Sequence, residues 1–289
     1  MSFDAFVETA WNDHADRPGE VADRLAGAFD LVETPAQVPA FVRLLTHVFG
    51  EHLGEWQRGI GLLESLRAHP AAKGDATADA ALRRSVAILR YAGGDRASLA
   101  LLSEEDRVAV LASAASTLAG RKDFSGAIDA YGEALQRADA GLPAQSPAIR
   151  ALAVGGNNLA AALEEKTDRN AAETTGMVRA AEGALKYWKQ AGTWLEEERA
   201  EYRLTRSLLQ AGNARAAVRS AARCVKVCET NAAPAFELFF AHAGLAAAQR
   251  ATGRLDAFET ARRRAAECFE HIPEGERTWC EAELKALRA

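Results

Sequence analysis

Along residues 1–66 apolar side chains recur every three or four positions. Phe3, Phe6, Val7 and Trp11 form one stripe, and Val21, Leu25, Phe29 and Leu31 follow the break at Arg17-Pro18-Gly19. Val38, Phe41, Leu44, Leu45 and Val48 continue the pattern, then Trp56, Ile60, Leu63 and Leu66 after Gly54. Such spacing places the apolar residues on one face of a helix. No segment sustains the alternation of a half-buried strand, so no sheet is expected. Breaks fall near 15–18, 33–36, 51–54, 69–76, 92–97, 120–123, 140–147, 167–170, 191–193, 212–213, 231–233, 253–254 and 273–275. Antiparallel helices of about 14–20 residues joined by short turns fit this punctuation. Thr193-Trp-Leu-Glu196 and Ser103-Glu-Glu-Asp106 read as capping boxes, the second with the weaker Asp partner.

Four segments stack on one another: Ala114–Asp123, Leu159–Asp168, Leu204–Asn213 and Leu245–Arg254. Each carries an apolar residue followed by small ones and reaches a polar turn about nine residues on. Small residues seven apart follow in two of them, Ala127/Ala134 and Ala217/Cys224. Small side chains let neighbouring helices approach closely, as a stack of helix pairs requires.

Here the chain resembles the tetratricopeptide (TPR) repeat family. Lys122-Asp-Phe-Ser-Gly-Ala-Ile-Asp-Ala-Tyr-Gly-Glu-Ala-Leu135 follows the family's second-helix pattern of turn, aromatic, small residue, aromatic and Ala-Leu. Residues 54–66, with Pro70 beyond, and residues 212–224 are further matches. The stacked first helices start 45, 45 and 41 residues apart, longer than the ordinary spacing of about 34. Units of this length look like those of kinesin light chain and of peptide-sensing bacterial regulators. The resemblance implies an all-α chain of about 12–14 antiparallel helices, stacked as a TPR-like right-handed superhelix (α-solenoid). Its expected parts are degenerate N-terminal helix pairs (1–70), irregular connecting helices (71–102), extended repeats (103–272) and a C-terminal capping helix (273–289), in one continuous domain. Trp279, Leu284 and Leu287 form the expected stripe of that cap.

Composition narrows the function classes. About 65 of the 289 residues are alanine and 7% are aromatic, which suits close helix packing. A formal charge of −5 offers no general field for nucleic acid or an anionic membrane. No run approaches a membrane span. The N-terminus lacks a basic region followed by an apolar stretch, so the cytoplasm is the expected address. Cys224, Cys228, Cys268 and Cys280 make no disulfide framework.

Catalytic and metal motifs are missing. Cys224 and Cys228 share a helix face, but no second pair or nearby histidine cluster completes a ligand set, so they read as packing residues. His47 and His52 are five apart and on an α-helix would not share a face. No metal set and no cofactor is expected. Glu164-Glu165 and Glu196-Glu197-Glu198 read as solvated helix faces, and Arg262-Arg263-Arg264 as a basic run paired with Glu259 and Glu267.

The resemblance singles out one polar cluster. In TPR units the first helices line the concave groove, and mapping through Leu159 and Leu204 places Asn157, Asn158, Tyr202, Arg203 and Arg206 there, with Arg199 one turn earlier. Asn amides would bond a peptide backbone, and arginines would fork onto a carboxylate. Asn158, Arg199 and Arg203 match half of the carboxylate clamp of chaperone-binding TPR proteins; Ala112 and Ser116 stand where the other half has Lys and Asn. The competing reading pairs the arginines with Glu196, Glu198 and Glu201 on a solvated face. The expected function is thus a non-enzymatic scaffold for a protein or peptide segment, acidic or carrying a free carboxylate. A ligand-sensing module and a self-assembling subunit, suggested by the aromatic run Phe236-Glu-Leu-Phe239-Phe240, are the alternatives.

Overall fold

The computed structural model describes residues 1–288. Fourteen α-helices and no strand occur among them, as the helical period requires. The chain divides into two compact units, residues 1–155 and 156–289.

The first unit opens with α1 (Phe3–Asp13), α2 (Pro18–Ala26), α3 (Val38–Thr46) and α4 (Trp56–Arg67). It continues with α5 (Ala76–Ala92), α6 (Glu104–Gly120), α7 (Phe124–Ala138) and the first half of α8 (Pro147–Glu165). Ser2 caps α1, Pro18 opens α2 at the expected break, and the Ser103 hydroxyl accepts from Asp106 N. The Asp106 carboxylate does not close the box but pairs with Arg84 at 3.0 Å. The apolar stripes meet in a core where Phe6 and Phe29 flank Phe41 at ring separations of 6.3 and 5.8 Å.

One departure from the α-helical period has consequences below. Helix α3 widens at its end into a π-turn over His47–Leu53, closed by Gly54 at φ 69°. Glu51 on this turn lies against Gly120 of α6, where a Cβ would sit 2.3 Å from Glu51 Cγ. At the other side of α6, Ala112 is fully buried and its carbonyl oxygen lies 2.2 Å from where a Cβ on Gly155 would stand. Ala112 and the buried Ser116 therefore pack between helices.

The second unit holds the rest of α8, then α9 (Ala171–Ala191), α10 (Trp194–Gln210), α11 (Ala214–Thr230), α12 (Ala235–Ala251), α13 (Leu255–Glu270) and α14 (Glu281–Arg288). The Thr193/Glu196 capping box forms, with Thr193 N donating to Glu196 Oε2 at 2.8 Å. Asn170 and Glu173 make a second box at the start of α9.

Three of the four stacked segments end in the same turn. Asp123 N donates to Leu118 O, Asn213 N to Leu208 O and Arg254 N to Gln249 O, at 3.0, 2.8 and 3.1 Å. The residue before each donor, Lys122, Gly212 or Gly253, takes the left-handed conformation. The fourth, Leu159–Asp168, leaves its helix by a longer route through Lys166 to the Asn170 cap.

The aromatic run of α12 is packed. Phe239 is buried between Phe240 and Phe269, and Phe236 and Phe240 are half-buried against the same core. No ring of this run is exposed. The chain's end departs from the expected stripe: a 3-10 stretch (Glu274–Cys280) precedes α14. Cys280 and Leu287 are buried and Leu284 packs on the core, whereas Trp279 is 72% exposed.

Candidate functional site

Helix α10 carries four of the six groove candidates, and their chemistry begins with its composition. Apolar Ala200, Leu204 and Leu208 are buried on one side, so the intervening charged residues lie at the edges of the helix–helix seams. There they find acids on other helices. Arg203 Nη1 donates to Glu164 Oε2 of α8 at 2.7 Å, and Arg206 Nε lies 3.2 Å from the same oxygen. Ser207 Oγ donates to Glu164 Oε1 at 2.7 Å. The Glu164 side chain is sealed from solvent, so it is a buried carboxylate held by two guanidinium groups and a hydroxyl. That corrects the reading of Glu164 as a solvated acid.

Further out, Arg199 Nη2 donates to Glu237 Oε1 of α12 at 2.5 Å. Tyr202 Oη donates to Glu283 Oε1 of α14 at 2.7 Å, and Arg206 Nη1 reaches the same atom at 3.4 Å. Burial raises the Tyr202 pKa, so this phenol stays a donor. The arginines thus pair chiefly with acids of other helices, α8, α12 and α14, and Arg199 also nears an acid of its own helix that the competing reading named. Among the same-helix acids, Glu198 lies 3.9 Å from Arg199. Asn157 and Asn158 lie half-buried on α8, with Asn157 Nδ2 donating to Asn158 Oδ1 at 3.5 Å. Asn157 precedes Glu164 by seven residues, two turns along the same face. Arg199 and Arg206 keep side-chain exposures of 58% and 41%.

Glu198 and Glu201 point the other way, into the seam with α11. Glu201 is fully buried, accepts from Ser220 Oγ at 2.5 Å and takes a forked pair from Arg223 at 2.8 and 3.1 Å. Glu198 faces the two cysteines: Cys224 Sγ donates to its Oε2 at 3.4 Å, and Cys228 Sγ lies at 3.6 Å. Burial, then the adjoining Glu237 carboxylate, push the Glu198 pKa up to about 10. Glu237 in turn accepts from Arg199 Nη2. The i,i+4 cysteines are therefore part of a closed, hydrogen-bonded knot, which the thiol spacing alone did not reveal.

The basic run on α13 is a solvated face, with Arg262 on Glu259 at 2.7 Å and Arg264 on Glu267 at 3.0 Å. No described helix is long and apolar enough to cross a membrane.

Neither a family model nor a curated protein matches the sequence. Among solved structures, the chain is similar to nearly identical TPR-like repeats described for a kinesin light chain candidate of Podosopora anserina. The TM-score is 0.50 at 14% identity, over 82% of this chain and 96% of that one. It is also similar to a signal transduction ATPase with numerous domains from Pyrococcus horikoshii that carries a TPR sensor. There the TM-score is 0.47 at 12% identity, over 91% of this chain and 42% of that one. The likeness is one of fold. The recurring left-handed turn between successive helices and the first of these likenesses give this chain an all-α fold like that of TPR-like repeats.

Proposed function

We propose that the chain is a non-enzymatic, cytoplasmic repeat scaffold that binds an acidic protein or peptide segment on the face formed by Asn157, Asn158, Arg199, Tyr202, Arg203 and Arg206. One observation carries the reading: this face already takes a carboxylate from a separate segment. Glu283, at the third position of α14, sits on Tyr202 Oη and Arg206 Nη1. A phenol O–H and a guanidinium converging on one oxygen are a receptor for an anion. The incoming segment would compete with Glu283 and use the solvent-facing donors of Arg199. Four unpaired cysteines support a reducing compartment.

Anisotropy of a fluorescein-labelled hexapeptide of Asp and Glu with a free C-terminus tests this, with an amidated all-Gln peptide as control. The acidic peptide is expected to bind, and to weaken as salt rises. Arg199→Ala should weaken it about tenfold, the worth of a charge-assisted bond. Glu283→Gln removes the internal competitor's charge and should tighten it. Equal binding of both peptides, or indifference to both substitutions, overturns the proposal.

A further inference from the structure

In the first unit three histidines from separate parts of the chain converge. His14 follows α1, and His47 and His52 open and nearly close the π-turn. On an α-helix residues five apart diverge, but a π-turn repeats after about five residues, so the two rings come to one face. Their Nε2 atoms lie 3.0 Å apart. The ring of His14 is 4.9 Å from His47 and 5.0 Å from His52, centroid to centroid. One nitrogen from each of the three rings falls within 4.8 Å of the others.

We propose that His14, His47 and His52 form a binding site for a divalent transition-metal ion of the zinc type. The inference is independent of the acidic-segment reading. Imidazole suits zinc, nickel, copper and iron, and three protein ligands with one open position is a recurrent zinc arrangement. Zinc–nitrogen bonds of about 2.0–2.1 Å in a tetrahedron set the nitrogens about 3.3–3.4 Å apart. The His47–His52 pair is within a few tenths of an ångström of that spacing, and His14 must draw inward by a little over an ångström.

The surroundings prepare the rings as ligands. Glu51 Oε2 accepts from His47 Nδ1 at 3.0 Å, which leaves the His47 Nε2 lone pair facing the cluster. The same carboxylate oxygen accepts from Ser116 Oγ at 3.2 Å, so a residue of α6 orients it. A carboxylate behind a ligating histidine fixes the tautomer and raises basicity. The Trp11 carbonyl accepts from His14 Nδ1 at 2.5 Å and frees Nε2 in the same way. Without metal, His52 donates its Nε2 proton to His47; on binding, that proton moves to His52 Nδ1, and both Nε2 atoms ligate. The Trp11 ring lies 5.0 and 5.1 Å from His14 and His47 and walls the site, and its buried indole N–H has no acceptor in the chain.

The test uses untagged full-length protein and Co2+ as a spectroscopic stand-in for zinc. Titration should give one ion per chain with the intense visible bands of tetrahedral cobalt, displaced by Zn2+. His52→Gln should abolish the bands, and Glu51→Gln should weaken binding about 10–100-fold while leaving all three ligands in place. Cys224→Ser/Cys228→Ser should change neither. If the His52 variant does not fold, the Glu51→Gln shift and Zn2+ protection of wild-type histidines from carbethoxylation decide. Absence of tetrahedral bands in the wild type, or bands that survive His52→Gln, overturns the site.

Discussion

Glu198 shows how strongly a single environment can reverse a residue's reading. In a run of three glutamates it looks like a solvated acid, yet its side chain is 1% exposed and carries a proton up to about pH 10. In the unfolded chain that proton leaves near pH 4.3. The folded state therefore binds more protons between these values, and stability falls as pH rises across the window, by at most about 1.4 kcal/mol per pH unit. Below the unfolded pKa the penalty is absent. Glu198→Gln keeps an acceptor for Cys224 but cannot ionise. Denaturant midpoints should show the variant gaining on the wild type steadily from pH 5 to pH 9; parallel profiles would mean Glu198 is ionised in the fold. Arg203 teaches the same lesson with the opposite sign. On the sequence pattern Arg203→Glu spares the helix seams, but the structure puts Arg203 on the buried Glu164. A second carboxylate there should cost about 3–5 kcal/mol, the price of an uncompensated buried charge. Urea unfolding of that variant is the check. Neither pairing could be read from the chain, because the partners stand 39, 38 and 77 residues from Arg203, Arg199 and Arg206.

At the scale of the helix, what was legible depended on whether the signal was local. The turn after Leu118, Leu208 and Gln249 is written in neighbouring residues, and stacking those segments found it. The π-turn is not. An i,i+5 relation has no apolar signature, and only the α-helical period was available to judge His47 and His52, so the correction had to come from the backbone. Glycines divide in the same manner. Gly61, inside α4, has open space around it, and Gly61→Ala should stabilise by about 0.8–1.0 kcal/mol through helix propensity. Gly155, inside α8, faces the Ala112 carbonyl, and Gly155→Ala must push backbone against backbone. There the overpacking cost should exceed the propensity gain and leave a net loss of about 1–3 kcal/mol. Thermal melts of the two variants should move in opposite directions. A stabilised Gly155→Ala would mean that α6 and α8 are free to separate.

Over the whole molecule, a stack of helix pairs has an exposed last layer, and repeat proteins close it with an atypical cap. The spacing of Trp279, Leu284 and Leu287 predicts one apolar stripe, and two of the three side chains lie on the core. Trp279 missed because the stretch before α14 is 3-10, with three residues per turn, which rotates its ring outward and turns Cys280 in instead. Helix α14 then packs Leu284 and Leu287 on the core of the second unit, and Arg250 of α12 donates to Ala286 O at 2.9 Å. Two substitutions separate the cap from the tryptophan. Trp279→Asp alters a side chain already in water and should leave the melting temperature and the monomer fraction unchanged. Leu287→Asp buries a charge without a partner, should lower stability by about 2–4 kcal/mol, and should uncover the apolar surface under α14. Sedimentation across a wide concentration range should then show association in the Leu287 variant alone. The same variant loosens Glu283 from Tyr202 and Arg206, so its affinity for the acidic hexapeptide should rise even as its stability falls. A loss of affinity there would mean that α14 builds the binding face instead of covering it.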